Sequence, residues 1–322
     1  VVFPRDLVVA ELPERPVGRA ALAVEVRGTL VVLDAETREF VRLPRPVPEA
    51  SFRSLSADGS RMLLVKDSAR SRGGICALTL ADGEEQWFAT PDERSDQDAM
   101  LSPDGTVIAT LADSGEEDPG HAVIGVLDPV TGCRRDLWRA EGAASWESGL
   151  CWSPDGRWIA ATYMIWDVEY DDDALSTVIV DAENGAVRIG PIIRSSLLGN
   201  THSPWVDDDR LAFRRECMDV DQLFVVDVER GEETPGPEFV GHPWGIIDGR
   251  FVYQLSSLER WDPEASTFYT TNLDNADRST LFVIRPRAEI KRFQLALRAF
   301  PEALRAARRS TESNRPPNPA DR

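Results

Sequence analysis

Leu150-Cys151-Trp152-Ser153-Pro154-Asp155-Gly156-Arg157-Trp158-Ile159-Ala160 is the stretch on which the rest of the chain is patterned. Apolar residues flank a Ser-Pro-Asp-Gly tetrapeptide that has the chemistry of a type I turn, with Ser first, Pro presetting φ at the second position and Gly fourth. The stretch therefore reads as strand, tight turn, strand. Weaker copies stand at 55–63, 101–108 and 205–212. Their turn aspartates, Asp58, Asp104, Asp155 and Asp208, lie 46, 51 and 53 residues apart, and Asp248-Gly249 follows after another 40. Self-similarity at that period is the spacing of propeller blades.

Working outward, each copy is followed by a second hairpin whose turn is again written in Asp, Asn and Gly. The strand at 178–181 precedes Ala182-Glu183-Asn184-Gly185, and the strand at 223–227 precedes Glu229-Arg230-Gly231. Further hairpins centre on 34–37, 81–83, 128–132 and 274–277. Six hairpins predict an all-β, six-bladed β-propeller of four-stranded antiparallel blades, a ring that buries both faces of each blade and removes most exposed edges. The blades fall at about 7–43, 52–90, 98–139, 148–190, 202–236 and 242–284, making 1–284 one domain. Blade 1 lacks the turn signature, so 7–12 is either its first strand or a strand added to blade 6 that closes the ring. Leu101, Ile108, Trp152, Ile159, Val178, Val180, Leu211, Phe213, Phe224 and Val226 are the expected core.

Leu101-Ser102-Pro103-Asp104-Gly105-Thr106, continuing to Ile108-Ala109, and the stretch at 152–160 resemble the WD40-like (PD40-type) propeller repeats of TolB-like proteins. The resemblance covers blades 2 to 5 well, blade 6 weakly and blade 1 hardly at all. It implies the fold. It also implies a choice of roles, since such repeats serve as interaction platforms, translocation components and accessory domains of peptidases. A TolB carries an additional N-terminal α/β domain, for which these 322 residues leave no room, and the related peptidases carry a Gly-x-Ser-x-Gly elbow that is missing here.

With 36 basic and 55 acidic side chains the net charge is −19, which repels nucleic acid and favours cationic partners or metal ions. No apolar run approaches the length of a membrane span. Cys76, Cys133, Cys151 and Cys217 have no metal-ribbon spacing and fall in different repeats, so they read as reduced packing residues. As the chain stands it reads as a cytoplasmic monomer; a leader or anchor removed ahead of Val1 would make it extracytoplasmic.

After residue 284 the composition changes. Between 285 and 309 eight basic residues face two acidic ones, Glu289 and Glu302, a local charge of +6 against −25 for the remainder. Ile290, Phe293, Leu297, Phe300 and Leu304 recur at three and four, which predicts a basic amphipathic helix kinked near Pro301. It has three possible docking sites: the chain's own acidic propeller, an anionic membrane surface or a partner. The polar, Pro-rich 310–322 reads as a disordered tail.

In a propeller the innermost strand runs down from the top face, so residues just ahead of it ring the mouth of the channel. Alignment on the turn aspartates puts Phe52, Asp98, Gly149, His202 and His242 in one register, and Ala50, Asp96, Glu147, Asn200 and Val240 two residues earlier. Asp96, Asp98, Glu147, Asn200, His202 and His242 would converge on a funnel walled by Trp146, Trp205 and Trp244. His202, His242, Asp98 and Glu147 form a plausible set for a divalent cation such as Ca²⁺, or an acid and base pair. The same residues could equally hydrogen bond the backbone of adjoining blades. On the same face, 113–118 and 167–173 are acidic loops, the latter beside Tyr163, Trp166 and Tyr170; neither follows the Asp-x-Asp-x-Asp-Gly grammar of a Ca²⁺ loop. Trp and Tyr among acids favour an interface. The primary reading is a non-enzymatic platform that presents this acidic, aromatic face to a cationic protein partner. The alternatives are a divalent-metal-dependent hydrolase, lactonase or lyase with its site in the channel, which comes from the resemblance rather than from residue spacing, and a small-ligand sensor.

Overall fold

The computed structural model describes residues 6–26, 28–44, 50–66, 74–89, 94–114, 121–140, 144–145, 149–167, 172–193, 195–197, 204–217, 220–239, 242–247, 250–254, 266–272, 279–285 and 290–295. They form six antiparallel sheets arranged as the blades of a propeller. The N-terminal strand is β1 (Asp6–Val8), and blade 1 contains β2 (Ala20–Val26), β3 (Thr29–Asp34) and β4 (Phe40–Arg42). Blade 2 is β5 (Ala50–Leu55), β6 (Arg61–Lys66), β7 (Gly74–Thr79) and β8 (Glu85–Ala89). Blade 3 is β9 (Arg94–Leu101), β10 (Ile108–Ser114), β11 (His121–Leu127) and β12 (Arg134–Arg139). Blade 4 has a split inner strand, β13 (Ala144–Ser145) and β14 (Leu150–Trp152), then β15 (Trp158–Asp167), β16 (Asp172–Asp181) and β17 (Val187–Ile193). Blade 5 is β18 (Ser195–Leu197), β19 (Arg210–Cys217), β20 (Val220–Asp227) and β21 (Glu232–Phe239). Blade 6 is β22 (His242–Ile247), β23 (Arg250–Gln254), β24 (Ser266–Asn272) and β25 (Ser279–Arg285); the last strand is β26 (Ile290–Leu295).

The repeated tetrapeptide shapes one end of every blade that carries it. In the turn of blade 4, Ser153 Oγ donates to Asp155 Oδ1 at 2.6 Å and accepts the Trp158 amide at 2.9 Å, while the Asp155 carboxylate takes the Arg157 amide. Ser102 with Asp104, and Ser56 with Asp58, repeat the arrangement. Gly156 closes the turn by donating to the Ser153 carbonyl at φ +79°, a conformation that favours glycine. The hairpins joining third to fourth strands lie at the same end, and there Asp34, Asp128 and Asp181 each accept two backbone amides.

Apolar alternation then fills the seams between blades. Of the ten residues expected in the core, nine are buried and Phe224 is half-buried, stacked on Phe213 at 5.8 Å. Seams also carry polar ties: Trp152 Nε1 of blade 4 donates to the Met100 carbonyl of blade 3 at 3.0 Å, and Ala20 N of blade 1 to the Gly59 carbonyl of blade 2 at 2.8 Å.

Ring closure decides between two options and corrects one expectation. Of the options for the N-terminal segment, the blade 6 pairing holds: β1 adds in parallel to β25, with Leu7 opposite Ile284. Residues 13–15 then pair with β4 of blade 1, where Arg42 N donates to the Pro13 carbonyl and Arg15 N to the Arg42 carbonyl. Arg15 anchors this strap on the buried Asp34 carboxylate at 2.8 Å.

The innermost strand of blade 1 is β26, so 290–295 is a strand and not the start of a helix. The helical spacing of Ile290 and Phe293 has a β explanation: a bulge at Lys291 sets Ile290, Phe293 and Leu295 opposite Val26, Val24 and Leu22, alternate residues of β2. The remainder of the expected helix, 296–309, and the tail 310–322 lie outside the described residues. Among the described residues no helix is long and apolar enough to cross a membrane.

Candidate functional site

The end opposite the turns is built differently. In each of the six blades the ladder between the innermost strand and its neighbour breaks register on the way to the turn. Arg53 is the extra residue in β5, Gln97 in β9, Trp244 in β22 and Lys291 in β26. In blade 4 the pairing passes from Ser145 opposite Met164 to Leu150 opposite Ala161, and in blade 5 from Leu197 opposite Phe213 to Trp205 opposite Leu211, so register is lost in both. A bulge bends its strand and re-aims the side chain it carries, and one on every inner strand leaves a ring of irregular backbone around the channel mouth. Gly149 at φ +130° and Gly245 at φ +123° supply the required freedom in blades 4 and 6.

Asp98 is the expected funnel residue whose side chain is described, and it is buried, at 2% exposure. Its Oδ1 accepts the Ala99 amide at 2.9 Å. Its charge also acts on Cys151 of blade 4, whose thiol is pushed up to about 12, chiefly by burial, against the lowering effect of hydrogen bonds with Trp205 and the Ala160 backbone. Asp98 therefore belongs electrostatically to the seam between blades 3 and 4. Asp96 lies opposite Ala112, beyond the bulge at Gln97. His242 opens β22 opposite Gln254, and Trp244 is that strand's extra residue. Trp166 lies opposite Asp173 near the end of the β15–β16 hairpin. Trp146, Glu147, Tyr170, Asn200 and His202 lie outside the described residues. Among the described residues no three His, Cys, Asp or Glu side chains are grouped to hold a metal ion.

The buried thiols Cys76 and Cys151 offer no nucleophile near neutral pH, since both are pushed up to about 12; for Cys76 burial is the main cause and Glu85 adds to it. Sequence reading did not single out Arg53 and Lys291, the basic residues at the bulges of adjacent inner strands. Both follow ordinary strand alternation in sequence, and the missing signal is the register shift itself.

One blade stands out at this end. Counted from the equivalent residues Ile108, Ile159 and Leu211, the β15–β16 ladder runs through Asp167 and Asp172, two pairs further than the ladders of blades 3 and 5. At about 3.4 Å per residue this ladder is about 7 Å longer than theirs. The sequence at its end, Trp166-Asp167-Val168-Glu169-Tyr170-Asp171-Asp172-Asp173, holds five acids and two aromatics. Its base is firm, because Tyr163 is buried against Trp138 of blade 3, with ring centroids 5.2 Å apart.

No family model matches the chain, and no curated protein matches it. Solved structures do. TolB from Acinetobacter baumannii is similar at a TM-score of 0.58 and 15% identity over 87% of this chain, which spans 66% of that protein's length. An oligogalacturonate lyase from Vibrio parahaemolyticus is similar at a TM-score of 0.57 and 15% identity, covering 87% of this chain and 77% of that one. An oligogalacturonate lyase in complex with manganese gives 0.56 and 16%, covering 78% and 69%. At such identities the likeness concerns architecture, and the chain has the TolB-like six-bladed propeller fold.

Proposed function

We propose that this TolB-like propeller is a non-enzymatic interaction platform whose bulged end, led by the acidic and aromatic β15–β16 hairpin, docks a cationic protein. The observation that carries the reading is the β15–β16 ladder, two pairs longer than those of blades 3 and 5, in a stretch whose sequence holds Trp166 and five acids. A ladder of ten residue pairs on a buried base makes the strands of this hairpin a firm support for recognition. The net charge of −19 adds long-range attraction for a basic surface.

The test compares wild type with a variant carrying Trp166→Ala, Tyr170→Ala and Asn at 171–173, each immobilised and challenged with extract from the source cells. The platform reading expects a basic protein retained by wild type in low salt, released as the Debye length shrinks, and not retained by the variant. Equal retention by both would refute it.

A metal-dependent lyase with its site in the channel is the second reading. It is favoured by His242 and Asp98 on inner strands and by the similarity to a lyase that binds manganese. Against it stands the charge of the body, which repels a polyuronate. Manganese-dependent formation of unsaturated product from oligogalacturonate, lost in a His202→Ala, His242→Ala double variant, would replace the platform reading with this one.

A further inference from the structure

The outer edges of the blades are not alike. Blade 6 carries β1 on its edge, and blade 1 carries residues 13–15 on β4, so this chain already adds extended segments to two outer strands. Three more edges are blunted. The ladder to β12 is bulged and the strand carries Arg134, Arg135 and Arg139; the ladder to β17 loses register twice, beside Gly190 and Pro191; β21 is bulged and carries Pro235 and Pro237. Charge, bulges and proline are the usual guards of an exposed edge. In contrast, β8 pairs with β7 through five residues without a break, contains no proline and no basic residue, and has none of the described strands on its outer side.

Alternation fixes which of its backbone groups are free. Thr79 N donates to the Glu84 carbonyl, so 79 and 84 form a hydrogen-bonded pair and the ladder bonds of β8 fall on Gln86 and Phe88. The N–H and C=O groups of Glu85, Trp87 and Ala89 therefore point outward, in agreement with Arg134 reaching the Ala89 carbonyl from blade 3. Phe88 is buried in the seam with blade 3, whereas Trp87 is 42% exposed, and its indole N–H is held by the Glu85 carboxylate at 3.0 Å. The Glu85 carboxylate puts negative charge at this plate, and Asp82 and Glu84 add two more acids in the turn that leads into β8.

We propose that the β8 edge is a second docking site, separate from the β15–β16 hairpin, which takes an extended cationic segment of another protein as an added strand. Backbone pairing to Glu85 and Trp87 supplies the register, an apolar residue of the segment packs on the Trp87 indole, and Lys or Arg two residues away meets Glu85. A second copy of this chain is disfavoured as occupant by the charge of −19 on each molecule.

The probe is the blocked heptapeptide Thr-Lys-Thr-Val-Thr-Lys-Thr, whose Lys, Val and Lys share one face of a strand. It should bind the full chain, protect the amides of 85–89 from hydrogen exchange, and outbind Thr-Glu-Thr-Val-Thr-Glu-Thr. N-methylation of its central Val, which removes one backbone donor and leaves the charge intact, should weaken binding roughly tenfold. Trp87→Pro removes an outward N–H and leaves the ladder bonds of Gln86 and Phe88, so it should weaken the probe at least as much with melting nearly unchanged. Four results would overturn the proposal: no binding, indifference to N-methylation of the probe, protection appearing at 164–175 instead of 85–89, or a dimer in solution that Trp87→Ala dissolves.

Discussion

The two ends of the propeller solve opposite problems. At the turn end, short side chains close the described Ser-containing turns onto their own backbone: Ser153, Asp155 and Gly156 satisfy one another, as do Ser102, Asp104 and Gly105. At the other end the inner strands abandon regular pairing at Arg53, Gln97, Trp244 and Lys291, and the sequence at 115–120 and 168–171 is acidic. On the proposed reading the first end carries stability and the second recognition, in keeping with binding loops set on a rigid scaffold.

Substitutions at the turn end should therefore cost stability in proportion to how tightly the backbone is enclosed. Gly185 has φ +75°, and a Cβ there would lie 2.1 Å from the Leu137 carbonyl oxygen of the neighbouring blade, whereas Gly105, also at φ +75°, has open space around the same position. Gly185→Ala should cost about 3 kcal/mol or more, combining left-handed strain with an overpacked seam, and Gly105→Ala only about 1 kcal/mol from the strain alone. Urea melts of the two variants measure the difference. Equal losses would mean that blade 4's outer hairpin is not seated on blade 3.

Ser153→Ala comes next. Ser153 is fully buried, and its loss strands the Trp158 amide and removes one of the two donors to Asp155 Oδ1, for about 1–3 kcal/mol. The same variant at Ser102, less enclosed, should cost no more.

Acid should act on the turn end before it acts on the core. The Ser102 hydroxyl and the Thr106 amide hold Asp104 below the ordinary aspartate range, and the Val130 and Thr131 amides do the same for Asp128. For Asp34 and Asp58 burial is the largest single influence and pushes upward, but hydrogen bonds from Arg15 and the 36 and 37 amides, and from Ser56 and Ser60, outweigh it. Because the folded values lie below the unfolded ones, this stability is complete above about pH 4 and is lost as pH falls through the depressed values. Midpoint denaturant concentrations from pH 7 to pH 2.5 should fall most steeply below pH 4. A flat profile there would show that these carboxylates do not hold the turns.

The smallest effect belongs to the other end. His202→Ala with His242→Ala should shift stability by no more than about 0.5 kcal/mol, as for surface positions without a packing role. A loss of several kcal/mol would make the histidines part of the framework and erase the contrast between the ends.

Sequence alone disclosed the turns at 56–59, 102–105 and 153–156, because the residues that make them are local and chemically distinctive. What it concealed depends on long-range pairing. The bulge at Lys291 mimicked helical spacing in Ile290 and Phe293, and only the partner strand β2 reveals 290–295 as the inner strand of blade 1. The strap formed by β1 and residues 13–15 crosses two blades and has no turn signal of its own. At the candidate site, Asp98 was found as an inner-strand position, but its burial beside blade 4 follows from how the blades meet, which no single repeat encodes.

The division of labour between the ends is tested most directly by a hydrogen-exchange footprint of the chain with its captured basic partner bound. The platform account predicts protection at 164–167 and 172–175, on the β15–β16 hairpin, with the turns at 56–59, 102–105 and 153–156 unchanged from the free protein. Protection confined to those turns, with the hairpin exchanging as before, would contradict it.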